Sequence, residues 1–261
     1  MLKMENVTYI YEDKTVALDN VNIDLNKGRK IGIIGSNGAG KSTVFMNFLG
    51  LFKPTKGNII YNDTVLKYDK KTLTSLRMDV GLVFQDPNKQ IFFSSVYDDI
   101  AFGLRNLKYD KKEIDDRVIS AMGKTNILDL KNKPVHFLSY GQKKNVSIAG
   151  TVAMSQKLIL FDEPTAGLDY LSRENIKNII NNIANEGKTI VVSSHDMNFI
   201  YEICDYVYVL NKGQVLAEGE IQEVFLKKAI LDKASLEEPF LIKAYKYLGK
   251  PLCKSEKELF N

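Results

Sequence analysis

The chain has 261 residues, long for one average domain and short for two, so one α/β domain carrying an inserted or appended piece is the natural organisation. Lys and Arg number 36 against 32 Asp and Glu, and the net charge of +4 gives no general attraction to nucleic acid, which is not an expected partner. Cys204 and Cys253 stand far apart, outside any CxxC or Cys/His pattern, which argues against a disulfide framework or a zinc site and suits a reducing cytoplasm.

In chain order, residues 1–25 alternate in the manner of strands, with Val7, Tyr9 and Tyr11 on one side and turn residues at Glu12 to Lys14, predicting a small antiparallel sheet. KIGIIG is a short apolar strand ending in glycine. It leads to a helix whose apolar positions Val44, Phe45, Phe48 and Leu49 keep helical spacing and which stops at Gly50. The strand GLVFQ ends in Gln85. From Asp86 to about Lys157 the pattern is mostly helical, with DKKEIDDRVISAM as an amphipathic segment, and this stretch reads as a helical insertion at about 87–157.

The α/β core resumes with the apolar strand LILFDE, a helix over Ser172 to Asn185, the strand TIVVSS, a short helix and the strand YVYVL. That alternation predicts a mostly parallel sheet covered on both faces, over residues 1–225. The tail over 226–261 is helical and polar-rich, with Pro239 and Pro251 as punctuation. No N-terminal segment has the basic start and apolar run of a signal peptide, and no apolar run approaches the ~18 residues that span a bilayer. A role at a membrane would therefore require another chain to cross it.

GSNGAGKS, Gly35 to Ser42, fits G-x-x-x-x-G-K-[ST] without a gap, with a strand before it and a helix after. Gly35, Ser36, Asn37, Gly38, Ala39 and Gly40 form a loop whose backbone N–H groups can point at phosphate oxygens, and the helix start through Thr43 adds partial positive charge. Lys41 would reach the β- and γ-phosphates and Ser42 would hold Mg²⁺. The bland alternative is an ordinary glycine turn, which the filled motif in its full context disfavours.

A P-loop alone says nucleoside triphosphatase and no more. LILFDE narrows it, because the strand ends in adjacent carboxylates: Asp162 would hold Mg²⁺ and Glu163 would polarise the attacking water. A terminal Asp-Glu pair standing alone would instead read as a solvated strand end or a helix cap. His195, just past TIVVSS, stands where the C-terminal edge of a parallel sheet would bring it to bound phosphate, although a lone histidine is more often structural, as His136 is taken to be. Gln85 could sense Mg²⁺ or water, on weak evidence by itself. Tyr11 offers a ring to stack on adenine, and its spacing fits a core or surface tyrosine of the first sheet equally well.

Taken in order, Tyr11, GSNGAGKS, VFQDP, LSYGQ, LILFDEP, AGLD and SSHD resemble the full motif set of the ATP-binding-cassette family, over about residues 1–225. The resemblance implies a P-loop fold with a RecA-like core, an N-terminal antiparallel β subdomain and an inserted α-helical subdomain, and it implies ATP with Mg²⁺. It further implies a head-to-tail dimer with a second, same or related, ATPase subunit. LSYGQ corresponds to the signature loop, so Ser139, the Gly141 backbone and Gln142 would serve the partner's ATP, and AGLD, ending at Asp169, corresponds to the D-loop. Tyr140 replaces the pattern's first glycine. A positive φ at that position would strain a tyrosine, whereas a contact running only through Ser139 and Gly141 would leave Tyr140→Gly nearly silent.

A finer likeness lies in VFQDPNKQIFFSSVYDDIAFG and LSYGQKKNVSIAGTVAM, which resemble the ATPase subunits of energy-coupling-factor importers, the cobalt and nickel branch in particular. That resemblance implies a transmembrane coupling subunit and a substrate-binding membrane subunit as partners, at the cytoplasmic face of the cell membrane. Ile91, Phe92, Phe93, Val96 and Tyr97 are the expected docking surface, or else core of the helical insertion. The alternatives are the shared ATPase of a vitamin importer, or a soluble cassette acting on nucleic acid or ribosomes.

Overall fold

The computed structural model describes residues 1–260. Two compact units emerge, one made of residues 1–77 and 191–261, the other of residues 78–190.

The first unit opens with β1 (Leu2–Ile10) and β2 (Val16–Asp24), an antiparallel pair, and with β3 (Lys30–Ile34), whose Ile31, Ile33 and Ile34 are fully buried. Helix α1 (Lys41–Phe48) buries Val44, Phe45 and Phe48, the helical stripe expected of it, and Gly50 closes it with φ +63°. β4 (Lys56–Tyr61) and β5 (Thr64–Val65) extend the first sheet in the order β2-β1-β4-β5, and α2 (Lys70–Asp79) crosses into the second unit.

That second unit begins with β6 (Val80–Val83) and continues with α3 (Val96–Asn106), α4 (Lys111–Lys124), α5 (Tyr140–Ala153), β7 (Leu158–Asp162) and α6 (Tyr170–Asn185). β6 and β7 pair in parallel with Val83 opposite Phe161, as two apolar runs buried on both faces should. The α3, α4 and α5 helices pack against one another. β6 stops at Val83, so Gln85 lies two residues beyond the strand rather than ending it. Helix starts fall on motif residues: Ser139 caps α5 and Asp169 caps α6 through the Ser172 N–H at 2.8 Å.

The chain returns to the first unit along β8 (Thr189–Ser194), then α7 (Met197–Ile203), β9 (Tyr206–Asn211) and β10 (Gln214–Glu220). β9 runs parallel to β3, with Ile34 opposite Val209, and antiparallel to β10. The tail forms α8 (Ile221–Phe225), α9 (Lys228–Lys233), α10 (Phe240–Leu248) and α11 (Glu256–Leu259). It is fastened to this unit: the fully buried Tyr201 donates its hydroxyl to the Cys253 carbonyl at 2.9 Å, and the Phe240 N–H donates to Asn198 at 2.6 Å. Among the described residues, no helix is long and apolar enough to cross a membrane.

Candidate active site

In the first unit β3 delivers the chain to Gly35, where only glycine fits, since a Cβ would lie 2.5 Å from the Leu210 carbonyl oxygen. Gly40 is required twice over, by φ +106° and by the Ala17 carbonyl oxygen 2.8 Å from any Cβ. The loop between them turns through an Ala39 N–H to Ser36 carbonyl bond of 3.1 Å and enters α1, which no side chain caps and whose first turn holds no acidic residue. A helix start of that kind favours an anion. The Lys41 ammonium, nearly buried, donates to the carbonyls of Gly35 (2.7 Å) and Ser36 (3.2 Å) and so lies folded against the loop. Tyr11 bonds Thr43 through its hydroxyl at 2.9 Å, and its half-exposed ring stands edge-on to Tyr9 and Phe52. His195 is exposed directly beyond β8, beside Asp196, which caps α7 through the Phe199 N–H at 3.1 Å.

In the second unit every residue of β7 is buried, and Asp162 and Glu163 at its end are each only 7% exposed. Glu163 has φ +44°, a left-handed backbone that a side chain resists, and strain of about 1 kcal/mol or more persists only where surrounding contacts enforce it. Among the described residues no three His, Cys, Asp or Glu gather into an all-protein metal cage. Mg²⁺ does not require one: it takes one or two carboxylates, hydroxyls, water and substrate phosphates, so hard oxygen donors such as Asp162 and Ser42 fit it chemically.

Gln85 is exposed, and the α5 helix holds its backbone. Lys144, fully buried, donates to the carbonyls of Phe84 (2.9 Å) and Gln85 (2.6 Å), and the Tyr140 hydroxyl donates to the same Gln85 oxygen (3.2 Å). Burial depresses the Lys144 ammonium to about 8, against the opposing pull of Asp162, Asp86 and Glu163. Ser139 opens α5 with a reciprocal cap: its Oγ accepts from the Gln142 N–H (3.2 Å), and the Gln142 side chain accepts from the Ser139 N–H (3.0 Å). That leaves the hydroxyl proton of Ser139 available to an outside acceptor. Gly141 lets α6 approach, since a Cβ there would stand 2.9 Å from Ser172 Oγ. Tyr140 lies in the first turn of α5 with helical backbone, so the positive φ considered for it does not arise.

Five residues were expected to form a docking surface, and they divide. Val96 is core at 0% exposure, Ile91 is half-buried, and the half-buried Tyr97 gives its hydroxyl to Asp115 of α4. Phe92 is 74% exposed and Phe93 38%, and they join Phe102 in an aromatic trio with ring centroids 6.4 and 5.3 Å from its ring. Asp99 fixes their loop by accepting from the N–H groups of Phe92 (2.8 Å) and Phe93 (3.1 Å), and burial raises its carboxyl above the usual range. Beside the trio a cleft of about 220 Å³ is lined by Leu82, Gln90, Ile100 and Met154.

The ABC transporter family profile matches residues 18–166, more than half of the chain, and takes in the motifs from GSNGAGKS to LILFDEP. The chain belongs to the ABC transporter family. Members of this family hydrolyse ATP, and the fold is that of a P-loop ABC ATPase. The cobalt import ATP-binding protein CbiO of Salmonella paratyphi A is 42% identical over 261 residues, covering 100% of this chain and 96% of that protein. The energy-coupling factor transporter ATP-binding protein EcfA2 of Clostridium perfringens is 42% identical over 240 residues, 92% of this chain and 84% of that one. Among solved structures, CbiO1 from Clostridium perfringens, part of the ABC transporter complex CbiONQ, matches at TM-score 0.82 with 39% identity over 95% of this chain and 96% of that one. A dimeric ATP-binding cassette, MJ0796, bound to ADP and Pi, matches at TM-score 0.76 with 31% identity over 85% of this chain and 99% of that one.

As an ABC ATPase the chain binds ATP. Within its first unit lie Tyr11, the loop Gly35 to Thr43, and His195; within its second lie Gln85, Ser139, Gly141, Gln142, Asp162, Glu163 and Asp169. Lys144 and Gln90 were missed by sequence reasoning. Gln90 accepts from the Phe84 N–H (3.1 Å) and donates to the Ser147 carbonyl (3.0 Å) and Thr151 (3.2 Å). A signal for Lys144 existed: residues 144, 148, 151 and 152 form one buried stripe of α5, which separates it from its neighbour Lys143.

Proposed function

We infer that the chain is the ATP-hydrolysing subunit of an energy-coupling-factor-type importer, working at the cytoplasmic face of the membrane with separate membrane subunits that take up cobalt or nickel ions. The observation that carries this reading is the full-length likeness to a cobalt import ATP-binding protein together with the exposed Phe92, Phe93 and Phe102 beside their cleft. That aromatic surface suits an amphipathic helix of a membrane subunit laid into a groove.

In this reading the Gly35 to Thr43 backbone and Lys41 bind the phosphates of ATP, Tyr11 flanks the adenine, and Ser42, Gln85 and Asp162 would hold Mg²⁺. Bound Mg²⁺ would neutralise charge on the β- and γ-phosphates. Glu163 accepts a proton from the attacking water, and His195 donates a hydrogen bond to the γ-phosphate and keeps that water in line. Lys41 then exchanges the Gly35 and Ser36 carbonyls for phosphate oxygens. Ser139, Gly141 and Gln142 serve the ATP held by a second ATPase subunit, head to tail, with Asp169 coupling the two sites. Domain roles follow the same lines: residues 1–225 form the ATPase, with the helical piece at about 87–157 docking the membrane subunit, and 226–261 extend it.

The equal identity to EcfA2 supports a second reading, the shared ATPase of a vitamin importer. Co-expression with candidate membrane subunits and uptake of radiolabelled cobalt, nickel and vitamins separates the two. ATP-dependent accumulation of a metal ion is the expected result, and accumulation of a vitamin alone would replace the first reading with the second.

A further inference from the structure

The backbone carbonyl of Gln85 is not left to solvent. A carbonyl oxygen has two lone pairs, and the Gln85 carbonyl receives two donors from one helix, the Lys144 ammonium at 2.6 Å and the Tyr140 hydroxyl at 3.2 Å. Lys144 also takes the Phe84 carbonyl, and Gln90, itself bonded to α5 at Ser147, accepts from the Phe84 N–H. The backbone on either side of the Phe84–Gln85 peptide is thus tied to the helix that the Ser139 cap begins.

Two features point beyond plain packing. A fully buried ammonium is costly to desolvate, and a methionine would fill the same stripe of α5 without that cost. The Tyr140 side chain, 38% exposed, has its Cε1 3.5 Å from where a Cβ on Gly167 would stand, so it lies against the AGLD loop. Gly167 has φ +75° and carries no side chain to interfere.

We propose that Lys144 and Tyr140 are positioning residues of the ATPase reaction: through the shared Gln85 carbonyl they fix the Gln85 side chain to the α5 start, and Tyr140 adds the AGLD loop to the same clasp. Tyr140 is then a fastening within its own subunit, and its replacement by glycine is costly rather than silent. The inference rests on the proposed role of Gln85 in hydrolysis.

Its test is steady-state hydrolysis of Mg-ATP by the full chain carrying Lys144→Met, Tyr140→Phe or both, each with Gln85 intact and with Gln85→Ala. With Gln85 intact, kcat falls about tenfold for Lys144→Met and about threefold for Tyr140→Phe, while KM for ATP stays within about twofold of wild type. In the Gln85→Ala background neither substitution lowers kcat further, because each acts through that residue. An unchanged kcat in Tyr140→Phe, a loss confined to KM, or the same fold-loss with and without Gln85 overturns the proposal. Tyr140→Phe removes a single hydroxyl, so it decides the matter even if Lys144→Met fails to fold. Full activity of Gln85→Ala alone would instead show that the role given to Gln85 is wrong.

Discussion

Lys41 and Glu163 carry the proposed phosphate binding and water activation at the scale of single residues. The Lys41 ammonium donates to two neutral carbonyls, which phosphate oxygens can replace with charge-assisted bonds. Lys41→Ala is expected to weaken ATP binding by about tenfold to a hundredfold, measured by isothermal titration, because a charge-assisted bond in a nearly buried site contributes about 1.5–3 kcal/mol. Both residues were legible in the sequence, from the unbroken P-loop pattern and the apolar strand ending in two carboxylates. The left-handed backbone at Glu163 was not, because Glu carries no turn preference that would announce it. Lys144 was hidden for a related reason: a lysine beside another lysine reads as solvated, and only the helical phase of α5 reveals which one is buried.

At the scale of elements, the strands and helices that carry motifs were read correctly because apolar runs and caps mark them: β3, β7 and β8 are nearly uniform apolar segments, and α5 and α6 begin at Ser139 and Asp169. β4 and β10 escaped because their exposed positions dilute the alternation, with Lys56, Gly57 and Asn58 all exposed at the start of β4. The tail is better fastened than its polar composition suggests. Lys246 of α10 donates to the Glu238 carboxylate at 2.5 Å and holds it below the usual carboxylate range. A depressed folded-state value means stability that is present above the unfolded value and lost as pH falls through the folded one. Lys246→Met should therefore cost about 1 kcal/mol near pH 7, and urea unfolding should show that difference closing once the pH drops below about 4.

For the molecule as a whole, the family match and the nearly full-length likeness to CbiO1 describe one ABC ATPase, proposed to work beside another. In the proposed head-to-tail dimer, the helix start at Ser139 offers its hydroxyl to the partner's ATP. Ser139→Arg should consequently abolish ATP-driven dimer formation, followed by sedimentation velocity, while leaving ATP binding to the monomer within about twofold. The proposed docking surface is available for a partner, since Phe92, Phe93 and Phe102 are exposed on the helical unit.

The central claim is that this chain hydrolyses ATP with Glu163 as the base, and it is tested most directly by steady-state Mg-ATP turnover of wild type and Glu163→Gln with bound nucleotide quantified in both. Wild-type turnover, a variant kcat lower by about a thousandfold, and undiminished ATP binding are the result the account predicts. Turnover of the variant within about twofold of wild type would contradict it.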